Sequence, residues 1–425
     1  MAFLNFKTIQ CRGRIILKQN FKRYGLIAIV FTAIFLINSL TSSSGVFASS
    51  PQQLYDQVWK LVNSRYVDHT NNHQDWKRWR GKYDNVIKTD EDAYIAIQTM
   101  LASLNDPYTK FLDPREFAEE TSSIKGSLKG IGIQIGLREG KLVIIAPIED
   151  TPGERAGLLA EDEILEIDGV STKGITIDKA ADKIRGEEGT YVTLLIKRKN
   201  QENKLYKIQR AEIELKSVST KVPEKVKLDD SVGYIRLSSF ISKNATEEFQ
   251  DALKLYKNKC GYIIDLRSNP GGLLSNAILI SDMFLDGGII VSTVDRDGYK
   301  ETTRATRKYI TDKPIVILIN KGSASASEIF SGAMKDNRRA LLVGENTYGK
   351  GLVQEVNKLF GGSGANITIQ KYLTPNGTDI NKKGIAPDVV VELTDENIKE
   401  KDDVQLKKAN ELLLEMIKNQ QVAKR

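Results

Sequence analysis

The spacing of apolar residues changes character twice along this chain. From residue 49 to 115, aromatic and aliphatic positions recur at helical intervals, as in Leu54-Tyr55-Asp56-Gln57-Val58-Trp59-Lys60-Leu61-Val62, and predict helices. From 118 to 212 the pattern breaks into short runs that read as strands at Ile131–Ile135, Lys141–Ile148, Glu163–Val170 and Tyr191–Lys197, parted by glycines and acidic turns. One helix is predicted there, over Ile177–Ile184. From 213 onward strands and helices alternate. Tyr262–Leu266, Ile315–Ile319 and Ala340–Gly344 are apolar enough to be strands covered on both faces. Leu273, Ala277, Ile280 and Phe284 mark one face of a helix after the first of these strands, and an alanine-rich helical stretch follows the second. The tail from Thr394 is charged and helical, with Leu412, Leu413, Leu414 and Ile417 as its apolar stripe. The reading is a multidomain α/β protein. Its segments are 1–48, a helical region 49–117, a small domain 118–212, an α/β domain 213–393 and a terminal helix 394–425.

Charge refines this picture at one place. Lys7, Arg12, Arg14, Lys18, Lys22 and Arg23 precede an uncharged run, Gly25 to Leu40, and then Val46-Phe47-Ala48. This is the pattern of a secretory or thylakoid-targeting signal cut after Ala48; sixteen residues are short for a membrane span, the competing reading. The formal charge of +7 lies largely in that segment. Without it 56 basic residues face 55 acidic ones, so the net charge gives no reason to expect nucleic-acid binding. Cys11 falls within the signal, which leaves Cys260 without an intrachain disulfide partner; it reads as a small hydrophobe at a strand start. His69 and His73, the only histidines, flank Thr-Asn-Asn, a loop signal. They read as a polar turn, and no metal site is expected.

The candidate chemistry centres on Ser323, Ser325 and Ser327, where a buried strand hands over to a helix. Small neighbours leave room for a substrate backbone, and a helix start supplies free N–H groups. With both histidines in the N-terminal region, a serine hydrolase here needs another base. A lysine serves if burial disfavours its ammonium form. Lys350, between Gly349 and Gly351, fits that role. Sequence chemistry alone does not choose among the three serines. Gly344 to Gly351 is also one residue short of a phosphate-binding loop, G-x-x-x-x-G-K-[ST]: Gly351 offers no hydroxyl for Mg²⁺, and Leu352-Val-Gln-Glu-Val reads as strand at least as well as helix.

Ser-Ala-Ser-Ala-Ser-Glu (323–328) followed by Tyr-Gly-Lys-Gly-Leu-Val-Gln (348–354) resembles the carboxyl-terminal processing peptidases, or tail-specific proteases. Asp106-Pro107-Tyr108-Thr109-Lys110-Phe111-Leu112 and Arg267-Ser268-Asn269-Pro270-Gly271-Gly272 extend the likeness over nearly all of the chain after residue 48. The resemblance implies a ClpP/crotonase-like catalytic domain with an inserted PDZ domain, and an exported serine endopeptidase that cuts proteins near their C-terminus. It implies Ser325 as nucleophile, because the family's serine lies twenty-five residues before the lysine; Lys350 as base; Gln354 as the group that orients it; and Gly271 and Ala326 as oxyanion donors. Asp336 matches a family acid, although beside Arg338 and Arg339 a structural ion pair is the stronger reading. Gly130, Ile131, Gly132 and Ile133 look like a PDZ carboxylate-binding loop and its strand edge; a plain hairpin is the blander alternative. The family occupies the bacterial periplasm and the photosynthetic lumen, where it trims the precursor of a photosystem II reaction-centre protein. Expected partners are protein or peptide substrates held by their C-terminus, with no cofactor and no nucleic acid; membrane association, an oligomer and an adaptor are compatible with the pattern. The alternative function is a PDZ adaptor with an inert protease domain.

Overall fold

The computed structural model describes residues 50–423 apart from Glu149, Leu215, Glu224 and Lys401. The signal expected over residues 1–48 lies outside them. Helix α1 (Pro51–Arg65) buries Leu54, Tyr55, Val58, Trp59 and Val62, the face its spacing predicts. Helix α2 (Asp90–Ala102) starts at a capping box of Thr89 and Asp92, with three acids in its first turn to meet the helix dipole. The next element departs from the all-helical expectation. Lys110–Leu112 forms strand β1, paired antiparallel with residues 364–366. Helix α3 (Pro114–Lys125) follows, capped by Asp113 and Glu116 and closed by Gly126 at φ 81°. It runs through the boundary expected at 117/118, because Pro114 at its first turn starts a helix that meets no breaker until Gly126.

The chain enters and leaves the small domain through a two-stranded ladder, β2 (Ser127–Gly130) against β9 (Ala211–Glu214). Between them lie β3 (Ile133–Arg138), β4 (Lys141–Pro147), the one-turn helix α4 (Pro152–Arg155), β5 (Glu163–Ile167), β6 (Val170–Ser171), α5 (Ile177–Ile184), β7 (Tyr191–Lys197) and β8 (Lys204–Gln209). The sheet order β3-β4-β5-β7-β8 leaves β3 on an edge. Two expected strands are shorter than their apolar runs. Ile131–Gly132 is a loop, because Gly132 sits at φ 74° with Thr151 packed where a Cβ would be. Glu163–Val170 breaks at Asp168-Gly169, both at positive φ, which folds the chain back as β6 in a two-residue hairpin.

In the α/β domain a six-stranded sheet runs β10 (Val218–Ser219), β11 (Val232–Leu237), β12 (Gly261–Asp265), β15 (Ile315–Ile319), β16 (Leu341–Gly344), β19 (Val389–Val390); all pairings but that of β10 are parallel. Every residue of β12 and β15 is buried, as a sheet covered on both faces requires. Helices α6 (Ala245–Leu255), α7 (Leu274–Asp282) and α8 (Ala326–Asp336) cover one face. After the short α9 (Asp395–Glu400), α10 (Val404–Ala423) covers the other with Leu406, Ala409, Leu413 and Ile417. A second, antiparallel sheet went unread in the sequence apart from the strand reading at Leu352. It joins β1, β18 (Gly364–Leu373), β13 (Ile289–Asp295) and β14 (Lys300–Arg304), with β17 (Leu352–Lys358) also on β18. The helical region packs on this sheet through Leu359, Ala365 and Ile367. The architecture is thus a helical N-terminal region, an inserted PDZ-type domain and an α/β catalytic layout.

Candidate active site

Strand β15 delivers the chain through a small-residue turn to the start of α8. Two of the three serines in that turn are locked. Ser323 Oγ donates to the Leu266 carbonyl at 2.8 Å and accepts from Asn320 N–H at 3.0 Å. Ser327 Oγ donates to the Asn269 carbonyl at 2.9 Å, and both residues are fully buried. Ser325 differs. It sits at φ 55°, ψ −115°, a strained conformation of the kind that lifts a nucleophile out of a strand–helix turn. It lines a cavity of about 470 Å³ together with Lys350, Gln354 and Gly271.

What holds that strain is a buried carboxylate. Glu328 Oε2 accepts from Ser325 N–H at 2.8 Å and from Lys350 N–H at 2.9 Å. Its Oε1 accepts from Thr347 Oγ1 at 2.6 Å and from Gly349 N–H at 2.7 Å. One side chain therefore fixes the main chain of both Ser325 and Lys350, residues that arrive from different elements. Tyr372 OH donates to the Ser325 carbonyl at 3.1 Å and closes the frame. The resemblance assigned nothing to Glu328, Thr347 or Tyr372. The Ser-x-x-Glu spacing of 325–328 is a capping-box signature and was the available clue to Glu328.

Burial pushes the Lys350 ammonium below the usual lysine value, and the charge of Lys110 pushes the same way; Asp106, Glu120 and Glu328 oppose them. Among the described residues Nζ makes no hydrogen bond to Ser325 and no ion pair. It lies 4.6 Å from the centroid of the Tyr108 ring. Gln354 lines the same cavity, and its Nε2 donates to Thr368 Oγ1 at 3.3 Å. Gly271 approaches the nucleophile so closely that a Cβ on it would lie 2.9 Å from Ser325 Cβ, and its φ is 99°. Its N–H donates to Asn269 Oδ1 at 2.9 Å. Ala326 N–H opens α8, where no carbonyl lies four residues back in the helix. Asp336 is not brought to the site. It ends α8, roughly 16 Å along the axis from Ser325, and its Oδ2 accepts from Asn376 N–H at 2.9 Å. Nor does it pair with Arg339, whose guanidinium donates to the carbonyls of Phe284 and Thr311.

The phosphate-loop reading fails on topology. Residues 345–351 lead into strand β17, so the loop is not followed by the helix that the phosphate-binding pattern requires. His69 and His73 are exposed, with His73 at φ 56° in a turn, and no cluster of metal-binding side chains occurs among the described residues.

In the small domain a second cavity, about 480 Å³, lies between edge strand β3 and helix α5. Gly130, Ile131, Gly132 and Ile133 all line it, with Ile177 and Ala181 opposite. The loop is braced from behind: Gly153 N–H donates to the Ile131 carbonyl, and Ile148 N–H and Thr151 Oγ1 donate to that of Gly132. Helix α3 reaches both cavities. Glu119 pairs with Arg185 at 3.1 Å and Arg115 with Asp182 beside the groove, while Glu120 accepts from Asn366 Nδ2 at 3.0 Å beside the serine.

Two family models match the chain: peptidase family S41 over residues 231–391, and a PDZ domain over 143–198. A carboxyl-terminal-processing protease of Synechocystis is 43% identical over 355 residues, which is 82% of this chain and 83% of that protein. The chloroplastic carboxyl-terminal-processing peptidase 2 of Arabidopsis thaliana is 35% identical over 402 residues, covering 88% of this chain and 77% of its own. Among solved structures, a photosystem II D1 C-terminal processing protease superposes with a TM-score of 0.55 at 33% identity, over 81% of this chain and 94% of that one. A serine on a strained turn, a half-buried lysine lining the same cavity and a PDZ-type groove occur here on the same scaffold, and the chain belongs to the carboxyl-terminal-processing proteases, serine-type peptidases of family S41.

Proposed function

We propose that the chain is an exported endopeptidase that cuts proteins near their C-terminus with a Ser325–Lys350 dyad. Neutral Lys350 Nζ takes the Ser325 hydroxyl proton as Oγ attacks the scissile carbonyl carbon. The tetrahedral oxyanion is met by the N–H groups of Ala326 and Gly271, the latter once it exchanges Asn269 Oδ1 for the substrate oxygen. Collapse expels the amine, which takes the proton back from Lys350, and leaves an acyl group on Ser325. Water then attacks that ester as Lys350 accepts its proton, and collapse breaks the acyl–Oγ bond, releases the new C-terminal carboxyl group and passes the proton from Lys350 to Ser325 Oγ, so that the free enzyme returns. Gln354 orients the lysine in the engaged state. The observation that carries this reading is the pairing of one unlocked serine with a lysine whose burial favours its neutral form, both main chains held by Glu328.

The groove between β3 and α5 is the proposed dock for the substrate's last residues. An extended peptide would add to the β3 edge, with its terminal carboxylate at the 130–133 loop. The leader over residues 1–48 supports export to the periplasm or the thylakoid lumen; no helix among the described residues is long and apolar enough to cross a membrane. Substrates are proteins or peptides bound by their C-terminus.

The test is cleavage of a C-terminal peptide library, read by mass spectrometry. Ser325→Ala, Lys350→Ala and Lys350→Arg should be folded and inactive, since a guanidinium does not deprotonate at working pH. The double replacement of His69 and His73 should keep most activity. An inactive, folded histidine variant would sink the dyad. Binding without cleavage by the wild-type chain would favour the inert adaptor.

A further inference from the structure

We infer that Tyr108 is a positioning residue that parks the protonated Lys350 side chain against its ring in the substrate-free enzyme, apart from Ser325. The inference rests on the dyad reading above and adds a determinant of when the dyad engages. Its main observation is geometric: Lys350 Nζ lies over the Tyr108 ring at 4.6 Å from the centroid, within the range of a cation–π contact. No carboxylate among the described residues comes within ion-pair distance of that ammonium. The contact lies where burial already disfavours charge, so a ring face there counts for more than on a wet surface.

The ring is held in place by its neighbours. Asp106 Oδ1 accepts from Tyr108 N–H at 2.9 Å, and Asp106 Oδ2 accepts from Thr109 Oγ1 at 2.7 Å. Thr109 Oγ1 in turn accepts from Thr368 N–H at 3.0 Å. Thr368 is also the partner of Gln354, so the segment carrying Tyr108 is registered on the same strand as the lysine's proposed orienting group. The Tyr108 hydroxyl lies near that of Tyr348, two residues before Lys350. This gives the Asp106-Pro107-Tyr108-Thr109 motif a role that the dyad chemistry leaves unassigned.

The electrostatic surroundings set the sign of the effect. Lys110 from β1 disfavours the ammonium. Asp106 from the same loop, Glu120 from α3 and Glu328 from α8 favour it, and the Tyr108 ring adds to their side. Removing the ring quadrupole therefore lowers the Lys350 pKa further and frees Nζ to reach Ser325. The acidic limb of the pH profile of kcat/KM reports that free-enzyme group.

The experiment measures this limb in the full chain for the wild type, Tyr108→Phe, Tyr108→Leu and a series with progressively fluorinated phenylalanines at 108. Fluorination drains the ring quadrupole while nearly keeping its size, so the series remains informative should the leucine variant fail to fold. Tyr108→Phe should keep the limb at the wild-type position. Tyr108→Leu and the most fluorinated ring should move it to lower pH by about 0.5–1 unit. Labelling of Ser325 by a fluorophosphonate, at a pH on the limb and without substrate, should rise by the same shift, about 3–10-fold. Limbs that superimpose across the series would overturn the parking role. A shift as large in Tyr108→Phe as in Tyr108→Leu would overturn it too, since loss of the hydroxyl, not of the ring face, would then be the cause. If the wild type itself shows no labelling of Ser325, the dyad reading fails and this inference with it. Normal labelling with superimposed limbs defeats the inference alone.

Discussion

Glu328→Gln tests the frame on which the proposed dyad stands. The carboxylate accepts four short hydrogen bonds, two at each oxygen, and Tyr372 OH adds a longer contact to Oε2 at 3.5 Å. An amide can face the four donors in only two ways. With its oxygen toward Ser325 and Lys350, both of those bonds survive, and the NH₂ meets Thr347 and Gly349. The Thr347 hydroxyl can rotate and accept from it, although that oxygen already accepts from Ile385 N–H at 2.7 Å. Gly349 N–H has no such escape and is orphaned in a buried site. The opposite orientation orphans two main-chain N–H groups and costs more. The favoured arrangement thus loses one charge-assisted bond, strands one donor and weakens the bonds that remain, for about 2–4 kcal/mol of stability. Gly349 immediately precedes the base, so its release loosens Lys350, and kcat/KM should fall by about tenfold or more with KM little changed. Denaturant melts of the full chain and steady-state kinetics on a C-terminal peptide measure the two effects. Adding Thr347→Val removes the hydroxyl that accommodates the amide, so the double variant should cost more than the sum of its parts. A Glu328→Gln chain within about 0.5 kcal/mol of wild type and with unchanged kcat/KM would refute the reasoning.

Amidating the C-terminus of a peptide should weaken its binding to the Ser325→Ala chain by about 1.5–3 kcal/mol in calorimetry if the 130–133 loop takes the carboxylate; equal affinity removes that role. Lys350 is held below its unfolded pKa by burial, so between the two values the unfolded chain binds more protons and stability climbs with pH. Lys350→Met should flatten that part of the stability–pH curve, and an unchanged slope would contradict the burial argument. Asp403→Ala should cost about 3–5 kcal/mol in denaturant melts, because Arg267 is nearly buried and would lose the carboxylate that it contacts at 2.7 and 2.8 Å. A loss under about 1 kcal/mol would mean that Asp265 and Gln405 satisfy the guanidinium without it.

Much of the fold was legible where local pattern and tertiary environment agree. Ile315–Ile319, Tyr191–Lys197 and Ile177–Ile184 are elements with the predicted ends. The antiparallel sheet was not legible, because β14 is polar throughout, as Lys-Glu-Thr-Thr-Arg, and the pairings are remote; β1 meets a partner some 250 residues on. Gly132 broke an apolar run through its backbone conformation, which an apolar pattern does not encode. The serines show the same limit at the site. All three look equivalent in a Ser/Ala repeat. What separates them is whether a hydroxyl finds a carbonyl on the turn after β12, as those of Ser323 and Ser327 do more than fifty residues back in the chain. Gly271 had the right neighbours, yet its N–H turns to Asn269, a local bond its sequence did not advertise.

Mapping the fluorophosphonate adduct to a single residue tests the central claim most directly. Ser323, Ser325 and Ser327 fall close enough to share one proteolytic fragment, and fragmentation in the mass spectrometer separates them. The account predicts modification of Ser325 alone in the wild-type chain and its near-absence in folded Lys350→Arg. Modification of Ser323 or Ser327, or labelling of Ser325 at an undiminished rate in Lys350→Arg, would contradict it.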